Sequence, residues 1–382
     1  MNNLDNYVHF LLNGAEFIFE KGAKNIACAL MLEAVSLTDN DEIKNKKEKY
    51  FNFLSEKIIL KEDFDLHKYL KSKEAENSNA YISSILLIID SYTKNINTFE
   101  ILDINNLYGS RFHYHHYFCS CIVPILEFAS TGGLKAENTY LIKDNGPLNY
   151  ETIDLFSLLN INILILDEEI LNLVIDAQLF KKYILSSYER THNSPSKFLN
   201  RLVKDKMFDL CAVLRGISAP KRTLDDINIT VVTRVASSEQ YKKIGHATGA
   251  DRRSTPNIEQ LGNKLSEKFK HVYFISFENM KLKEKVNILA NTDILVIQFG
   301  AGMNNMWWMK ESSHVIEITP ACWLNPQPRK GDGHAYRVLA GHHNINYQQV
   351  IQETEHSDID IDRLYNICLK TSEYIINENN AK

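Results

Sequence analysis

The segment from Asp293 to Pro320 combines residue types that suit phosphate binding. Apart from one glutamine, residues 294–299 are apolar on both alternating faces, which predicts a buried strand of a parallel sheet. Gly300 and Gly302 follow, and glycines let the backbone turn tightly and approach a ligand without a Cβ in the way. A helix is expected next, and its first N–H groups favour an anion. The spacing predicts either a nucleotide-binding turn or a purely structural one.

Two further residues of this segment, Glu317 and Asn305, indicate which kind of ligand it would bind. The second strand, His314 to Thr319, brings Glu317 next to the turn, where a carboxylate can accept hydrogen bonds from a ribose. Asn305 stands where the dinucleotide fingerprint has its third glycine, which disfavours nicotinamide or flavin as the ligand. We therefore expect a nucleotide or a sugar nucleotide.

Residues 276–320 read SFENMKLKEKVNILANTDILVIQFGAGMNNMWWMKESSHVIEITP. This run resembles the catalytic-domain signature of glycosyltransferase family 61 in order and spacing, with Phe299 in place of the histidine before the Gly-Ala-Gly turn. A match of this length is more specific than a glycine pair alone. The resemblance implies that the donor is bound by residues of this run: Gly300, Ala301, Gly302, Asn305 and Glu317.

A second block upstream resembles the same family more loosely. INITVVTRVAS contains Arg234, and RRSTPNIEQLGNKL contains Asn257, followed by Ile258 where the family has a glutamate. The resemblance implies a donor-binding role for Arg234 and Asn257. Arg234 also follows a predicted strand, and an arginine fork binds phosphate oxygens in pairs, so we expect it at the pyrophosphate. Arg252 and Arg253 are alternatives.

Residues 110–124, SRFHYHHYFCSCIVP, resemble the family's N-terminal histidine block, with a serine or cysteine in place of its aspartate. One imidazole, with His116 ahead of His115, is expected to accept the proton of the acceptor hydroxyl while the sugar is transferred with inversion. Two other interpretations stay open. The histidines and nearby cysteines are zinc ligands, or the histidines are partly buried and bind substrate or backbone.

Departure of a nucleoside diphosphate develops negative charge that a cation or fixed dipoles must meet. The Asp-x-Asp spacing in HSDIDIDRL, residues 356–364, is interpreted as a helix cap rather than a metal site. We therefore expect arginines and helix N-termini to stabilise the negative charge on the leaving diphosphate. No metal and no cofactor are expected, and the nucleotide sugar is a substrate.

Composition indicates an ordinary globular protein. A chain of 382 residues exceeds what one core usually organises, so two domains are expected. The net charge of -5 argues against nucleic acid as a partner. Six scattered cysteines favour a reducing compartment, and neither an apolar run of about 18 residues nor a signal peptide is visible. We expect a cytoplasmic protein, at the inner face of the membrane or free of it, with a homodimer as an open option.

The pattern of elements predicts an α/β fold. Helical spacing from Asn6 to about Leu60 indicates an N-terminal helical extension, and strands and helices alternate from about residue 97. Strands are predicted at Phe99–Leu102, Thr139–Ile142, Ile161–Leu166, Ile229–Thr233, Val272–Ser276, Ile294–Phe299 and Val315–Ile318. Helices are predicted at Phe198–Leu214, Asn257–Phe269, Lys281–Asn291, Met303–Lys310 and Ile359–Glu378.

These elements form two Rossmann-type domains around a linker, the arrangement of GT-B glycosyltransferases. The expected domains are residues 1–90 (helical extension), 91–220 (acceptor domain) and 221–382 (donor domain), with a terminal helix that crosses back onto the acceptor domain. The resemblance implies a bacterial surface-polysaccharide or capsule enzyme. It would be an inverting, metal-independent glycosyltransferase that moves a sugar from a nucleotide, UDP, to a glycan or lipid-linked glycan.

Two alternatives to that enzyme remain. The first is a catalytically inactive relative that binds glycans or acts as a scaffold, because Ile258, Phe299 and Ser120 replace residues of the family pattern. The second is a nucleotide-dependent enzyme of another class, such as an epimerase. Turnover of a sugar nucleotide separates the first from the leading hypothesis, and transfer to an acceptor separates the second.

Overall fold

The computed structural model describes residues 3–38, 40, 80–94, 99–104, 114–185, 197–213, 222–236, 249–324 and 335–381. Internal contacts divide the chain into two units. The first comprises Met1–Ile104, Lys135–Asp144 and Ile161–Ile184, and the second comprises Asn105–Leu134, Asn145–Asn160 and Leu185–Lys382. The second unit thus includes segments from the part of the chain that we expected to form an acceptor domain. The assignment of acceptor and donor domains stays a prediction.

The first unit packs helices on a four-stranded sheet. Its helices are α1 (Asn3–Glu20), α2 (Lys24–Ser36), α3 (Ala80–Thr93) and α7 (Glu168–Asp176), and its strands are β1 (Phe99–Ile104), β2 (Thr139–Lys143), β3 (Asn162–Leu166) and β4 (Lys181–Leu185). The strand order is β3-β2-β1-β4. Phe10 of α1, Leu30 of α2 and Ile88 of α3 are fully buried in its core. The predicted N-terminal helices are confirmed as far as Ser36, and residues 41–60 lie outside the described part.

The second unit contains the glycine turn and the histidine block. Its α-helices are α4 (Tyr114–Tyr117), α5 (Val123–Ser130), α6 (Asn149–Leu159), α8 (Lys197–Leu210), α9 (Gly249–Arg252), α10 (Ile258–Ser266), α11 (Leu282–Asn291), α12 (Ala335–His342) and α13 (Ile361–Ala381). A π-helix, Phe118–Ile122, joins α4 to α5. Its strands are β5 (Asn228–Val232), β6 (His271–Ile275), β7 (Ile294–Gln298), β8 (His314–Pro320) and β9 (Asn346–Gln352).

The sheet of the second unit is parallel throughout and has the order β6-β5-β7-β8-β9. Numbered from its own first strand, this is the 2-1-3-4-5 order of a doubly wound fold. The order changes direction between β5 and β7, and a crevice for ligands opens beyond the carboxyl ends of strands at such a point. Arg234 follows β5 and Gly300 follows β7, so the fold itself places both residues at this switch point.

The expected α/β class with two parallel sheets is confirmed and is compatible with a GT-B-like fold. All seven predicted strands are present, each within two residues of its expected ends. Two strands were not predicted, β4 and β9. Both lie at the edge of their sheets, and their sequences, KKYIL and NYQQVIQ, are too polar to show as buried runs.

The helix after the glycine turn differs from the prediction in type and extent. It is a 3-10 helix, Ala301–Trp308, rather than an α-helix over Met303–Lys310. Its tighter winding shows in the i to i+3 hydrogen bonds from Met303 N to Gly300 O and from Met309 N to Met306 O, both 2.9 Å long.

The last helix, α13, packs on the core of the second unit itself. Leu364, Cys368 and Ile375 on this helix are buried in one cluster with Ile258 and Leu261 of α10. None of the helices in the described part of the chain is long and apolar enough to span a bilayer.

Candidate functional site

The turn after β7 contains two glycines, and its backbone geometry requires glycine only at Gly300. Gly300 has φ +150°, and a Cβ there would lie 2.3 Å from Arg234 Nη2 and 3.1 Å from Arg253 Nη1. Gly302 has an ordinary backbone, and a Cβ there would meet Phe277 at 3.4 Å, which is a normal contact. The close approach of the backbone to a charged group therefore occurs at Gly300.

Two arginines converge on this turn from different elements. Arg234 follows β5 and donates from Nη2 to Phe299 O at 3.0 Å and from Nη1 to Gly249 O at 3.3 Å. Arg253 follows α9 and donates from Nη1 to the same Phe299 O at 3.0 Å. Two guanidinium groups therefore share one carbonyl oxygen beside Gly300, in the position that sequence spacing suggested for a pyrophosphate.

Three arginines and two glutamates interact around this turn, so its local charge is positive. Burial is the main cause that lowers the pKa of Arg234 to about 10, the charges of Arg253 and Arg252 act in the same direction, and Glu278 opposes them, so Arg234 remains protonated at neutral pH. Burial and the neighbouring Arg253 also lower the pKa of Arg252. Arg253 itself is buried and donates from Nε to Glu355 Oε1 at 3.0 Å. Guanidinium groups this close together repel each other, and an anion bound between them would relieve that repulsion.

Phe299 occupies the position where the family pattern has a histidine. Its ring lies 5.2 Å from Trp323 and 5.6 Å from Tyr336 between centroids, and the Arg253 guanidinium lies 5.1 Å from its centroid. The phenyl ring therefore supports Arg253 through packing and a cation–π contact, and it cannot exchange a proton.

A cavity of about 150 Å³ opens at the same switch point, within the second unit. It is lined by the carboxyl ends of strands, the start of α10 and the loop before it: Val232, Thr233, Arg234, Ser254, Thr255, Pro256, Ile258, Glu259, Gln298 and Ile318. Thr255 Oγ1 and Gln298 Oε1 are buried and have no hydrogen-bond partner among the described residues. Buried polar atoms normally have hydrogen-bond partners, so two such atoms without one, on residues that line the same cavity, indicate a ligand or water site.

The two predicted catalytic histidines lie side by side on α4 and are half-buried. The Nδ1 atom of His115 donates to Asn304 Oδ1 at 2.9 Å, and Asn304 belongs to the 3-10 helix after the glycine turn. The rings of His115 and His116 are 5.4 Å apart between centroids. Tyr336 lies 6.0 Å from the His115 ring and 5.6 Å from Phe299, so one side chain contacts both the histidine block and the glycine turn.

Asn305, a predicted donor ligand, ties the 3-10 helix to α4. Its side chain is fully buried, its Oδ1 accepts from the Tyr114 hydroxyl at 3.1 Å, and its Nδ2 donates to Gly302 O at 3.0 Å. Both ends of this amide are therefore engaged within the protein. Asn305 fixes the position of Gly302 relative to the histidine-bearing helix.

Glu317, predicted to meet a ribose, lies away from the cavity. Side chains alternate along a strand, and Ile318, which lines the cavity, points to the opposite face of β8. The Glu317 carboxylate is buried and accepts hydrogen bonds from Thr319 Oγ1, Tyr347 Oη at 2.7 Å and Gln349 Nε2 at 3.4 Å. In this structure its partners belong to β8 and β9.

Asn257 stands immediately before α10, beside the cavity. Its Nδ2 donates to Ile359 O at 2.8 Å, and its Oδ1 accepts from Ile359 N at 3.0 Å. The amide thus fastens the start of α10 to the segment that leads into α13, and it contributes to the site by holding the helix start in place.

The structure brings Arg234, Gly300 and Ala301 together at the turn, and it joins His115 to that region through Asn304. It adds four residues that the sequence analysis did not identify: Gln298, Thr255, Asn304 and Tyr336. Gln298 could have been identified from the sequence, because it is the one polar residue of an otherwise apolar strand. Within the described ranges, no three His, Cys, Asp or Glu side chains are grouped so that they could hold a metal ion.

Comparison with known proteins agrees with this geometry. No curated protein sequence matches the chain. The model of the family described as Glycosyltransferase 61 matches residues 112–316, a range that begins just before α4 and ends within β8. The matched range includes His115, Arg234 and Gly300 and covers more than half of the chain. The protein therefore belongs to glycosyltransferase family 61 and is a glycosyltransferase.

Proposed function

We propose that the protein is an inverting, metal-independent enzyme that moves a sugar from a nucleotide donor, a UDP sugar, to a glycan acceptor in the synthesis of a surface polysaccharide. The observation that carries this proposal is the convergence of Arg234 and Arg253 on Phe299 O beside Gly300. These two guanidinium groups offer the donor diphosphate a fixed positive site at the switch point of a parallel sheet.

The arginines act on the leaving group. When the bond between the sugar and the diphosphate breaks, negative charge grows on the terminal phosphate oxygen. Arg234 and Arg253 are held by backbone carbonyls and by Glu355, so they are positioned before the reaction begins. Preorganised cations of this kind stabilise the departing UDP without a metal ion.

The histidine block supplies the base. With its proton on Nδ1, donated to Asn304 Oδ1, neutral His115 has its lone pair on Nε2. That nitrogen accepts the proton of the acceptor hydroxyl while the hydroxyl oxygen attacks the anomeric carbon from the side opposite to the diphosphate, which inverts the configuration. Because this hydrogen bond fixes the His115 ring, we assign the role to His115, although the sequence placed His116 first.

The acceptor is a glycan or a lipid-linked glycan, and the enzyme acts on the cytoplasmic side, in peripheral contact with the membrane or free of it.

The test is a turnover assay with a panel of sugar nucleotides and a glycan acceptor in the presence of EDTA. We expect release of UDP and transfer of the sugar with inversion, and loss of both in Arg234→Ala. Arg201→Ala is the matched control, because Arg201 is 78% exposed in its side chain and far along the chain from the turn. Turnover that is equal in the two variants, or no release from any donor, contradicts the proposal.

One observation favours a second function, binding without catalysis. Phe299 and Ile258 stand where the family pattern has a histidine and a glutamate, and Phe299 is packed among aromatic rings. A protein of this kind would bind the nucleotide or the glycan and release no UDP, so the same assay combined with a binding measurement separates the two functions.

A further inference from the structure

We propose that Tyr336 is a specificity-determining residue whose hydroxyl group donates a hydrogen bond to the transferred sugar. This inference rests on the proposed function, because it concerns the sugar carried by the same nucleotide donor. It goes further by naming a group, separate from the arginines at the diphosphate and from the histidine block, that distinguishes one donor sugar from another.

Tyr336 lies between two parts of the proposed site. It is the second residue of α12 and is 9% exposed. Its ring centroid lies 6.0 Å from that of His115 at an interplanar angle of 88°, and 5.6 Å from that of Phe299 at 72°. Phe299 directly precedes Gly300, where the arginines converge. One aromatic ring therefore contacts both the proposed base and the turn that is proposed to bind the diphosphate.

These two contacts border the place of the sugar. In a displacement with inversion, the attacking hydroxyl and the leaving diphosphate lie on opposite sides of the anomeric carbon. The sugar must therefore lie between His115 and the arginines at the turn. The Tyr336 hydroxyl interacts electrostatically with Cys119, which lies one turn along the chain from His115. It also interacts with Arg234 and Arg253, so it lies beside the interval that the sugar would occupy.

The Tyr336 hydroxyl has a free hydrogen-bonding capacity. It makes no hydrogen bond within the part of the chain that the structure describes, although the side chain as a whole is almost buried. Its oxygen is not one of the sealed polar atoms, so a ligand in the site can reach it. Polar groups in such surroundings normally have a hydrogen-bond partner, and a bound substrate would supply one here.

The hydroxyl is a hydrogen-bond donor over the whole physiological pH range. Burial and the charge of Glu317 raise the pKa of Tyr336 above the ordinary value of about 10, and Arg253 and Arg234 only partly offset them. Tyr336 therefore stays neutral and protonated. A neutral donor suits the oxygen of a sugar hydroxyl, whereas guanidinium groups suit the negative charge of the diphosphate.

The direction of this donor is fixed by the fold. Helix α12 packs against β9 and against the 3-10 helix that carries Asn304. Leu339 and Ala340 of α12 are buried, and the Tyr336 ring is held on this helix between two aromatic neighbours. A donor with a fixed direction pairs with a hydroxyl at one position of the sugar. A site built in this way discriminates against a sugar that lacks that hydroxyl.

Tyr336→Phe removes the hydroxyl and keeps the ring contacts. We expect this variant to bind UDP within about threefold of the wild type in a calorimetric titration, because the diphosphate site is intact. Its kcat/KM for the UDP sugar that is turned over should fall about ten- to hundredfold. Tyr374→Phe is the matched control, because Tyr374 is 49% exposed on α13, and it should behave as the wild type.

Two results of this comparison overturn the inference. An unchanged kcat/KM in Tyr336→Phe shows that the hydroxyl does not contact the reacting substrate. A UDP affinity that falls at least about tenfold in Tyr336→Phe places the hydroxyl at the diphosphate rather than at the sugar. Failure of the wild type to bind UDP or to turn over any UDP sugar overturns the proposed function, and the inference falls with it.

Analogues of the donor that each lack one sugar hydroxyl identify the contact. In the wild type, one analogue should lose at least about tenfold in kcat/KM because it leaves the Tyr336 hydroxyl unpaired. The same analogue should lose little in Tyr336→Phe, where that contact is already absent. Losses by the same factor in the wild type and in Tyr336→Phe for every analogue overturn the inference and leave the proposed function standing.

Discussion

His115 Nδ1 lies 2.9 Å from Asn304 Oδ1, and this hydrogen bond joins the histidine-bearing helix to the 3-10 helix that follows Gly300. Because a neutral imidazole carries one proton, donation from Nδ1 leaves the basic lone pair on Nε2. We infer that Asn304 is a positioning residue that sets both the tautomer and the direction of the His115 ring. The proposed base is thereby joined to the short segment that follows Gly300, next to the proposed diphosphate site.

Replacement of His115 should affect turnover more than donor binding. We expect His115→Ala to lower kcat about 10²- to 10⁴-fold with a nearly unchanged KM for the donor, because general-base catalysis contributes only in the transition state. Steady-state kinetics with a saturating acceptor measure this. His116→Ala is the matched control, and a larger loss of kcat in that variant than in His115→Ala would reverse the assignment.

Asn304→Ala should reproduce part of the His115 effect. It leaves the imidazole in place without its acceptor, so we expect kcat to fall about tenfold and the pH profile of kcat to shift, while the donor KM stays near the wild-type value. A variant with wild-type kcat and an unshifted profile would show that the hydrogen bond has no part in positioning the base.

The two glycines of the turn should differ in their tolerance of alanine. Gly300→Ala places a Cβ 2.3 Å from Arg234 Nη2 at a φ of +150°, so Arg234 must move, and we expect UDP binding to weaken at least tenfold. Gly302→Ala makes only ordinary contacts, the nearest at 3.4 Å, and should bind UDP within about threefold of the wild type. Titration calorimetry compares them, and equal losses in the two variants would show that the approach of Arg234 to Gly300 is unimportant.

Asp293 should stabilise the second unit in a pH-dependent manner. Burial alone would raise its pKa, but hydrogen bonds from Arg222, at 3.0 and 2.6 Å, and the charge of Lys310 outweigh burial and hold the pKa below its ordinary value. A carboxyl whose folded-state pKa is depressed contributes its full stability above the unfolded-state pKa of about 4. That contribution is lost as the pH falls through the folded-state pKa.

Asp293→Asn should therefore reduce the free energy of unfolding by about 3 kcal/mol at pH 7, and the difference from the wild type should shrink below about pH 4. Denaturant titrations between pH 7 and pH 3 measure this. Asp362→Asn is the control, because Asp362 pairs with Lys264 at the surface with a side chain 79% exposed, and should cost less than about 1 kcal/mol. A difference for Asp293→Asn that does not change with pH would contradict the assignment.

The buried ion pair of Lys285 and Glu151 lies next to Tyr114, on the helix that carries His115 and His116. Both side chains are almost fully buried, and Lys285 Nζ lies 5.4 Å from the ring centroid of Tyr114, which holds Asn305. Glu151→Gln leaves an uncompensated buried ammonium and should cost about 3–5 kcal/mol of unfolding free energy. The double variant Glu151→Leu with Lys285→Met should recover most of it, whereas additive losses in the double variant would contradict a direct pairing.

Much of the fold could be predicted because buried parallel strands leave continuous apolar runs. Ile294 to Phe299 and Ile229 to Thr233 were placed within two residues by this signal, and the glycine turn followed from the position of Gly300 after the first run. The edge strand Asn346–Gln352 left no such run, because one side of an edge strand has no neighbouring strand and its residues are largely polar.

The site could be predicted less completely, because it depends on which face a residue occupies and on partners far away in the chain. Glu317 was placed on the correct strand, yet a shift of one residue decides between the cavity and the opposite face. The roles of Gln298 and Asn304 depend on Gln352 and His115, which are distant in sequence. Nothing in the local pattern of either residue indicates those contacts.

Calorimetric titration of the protein with UDP, in EDTA and in Mn²⁺, shows whether the arginines or a metal ion hold the diphosphate. If the arginines hold the diphosphate, we expect UDP to bind in EDTA with an affinity within about threefold of that in Mn²⁺, and Arg234→Ala to lose at least tenfold under both conditions. Binding that disappears in EDTA and returns with Mn²⁺, with Arg234→Ala equal to the wild type, would contradict it.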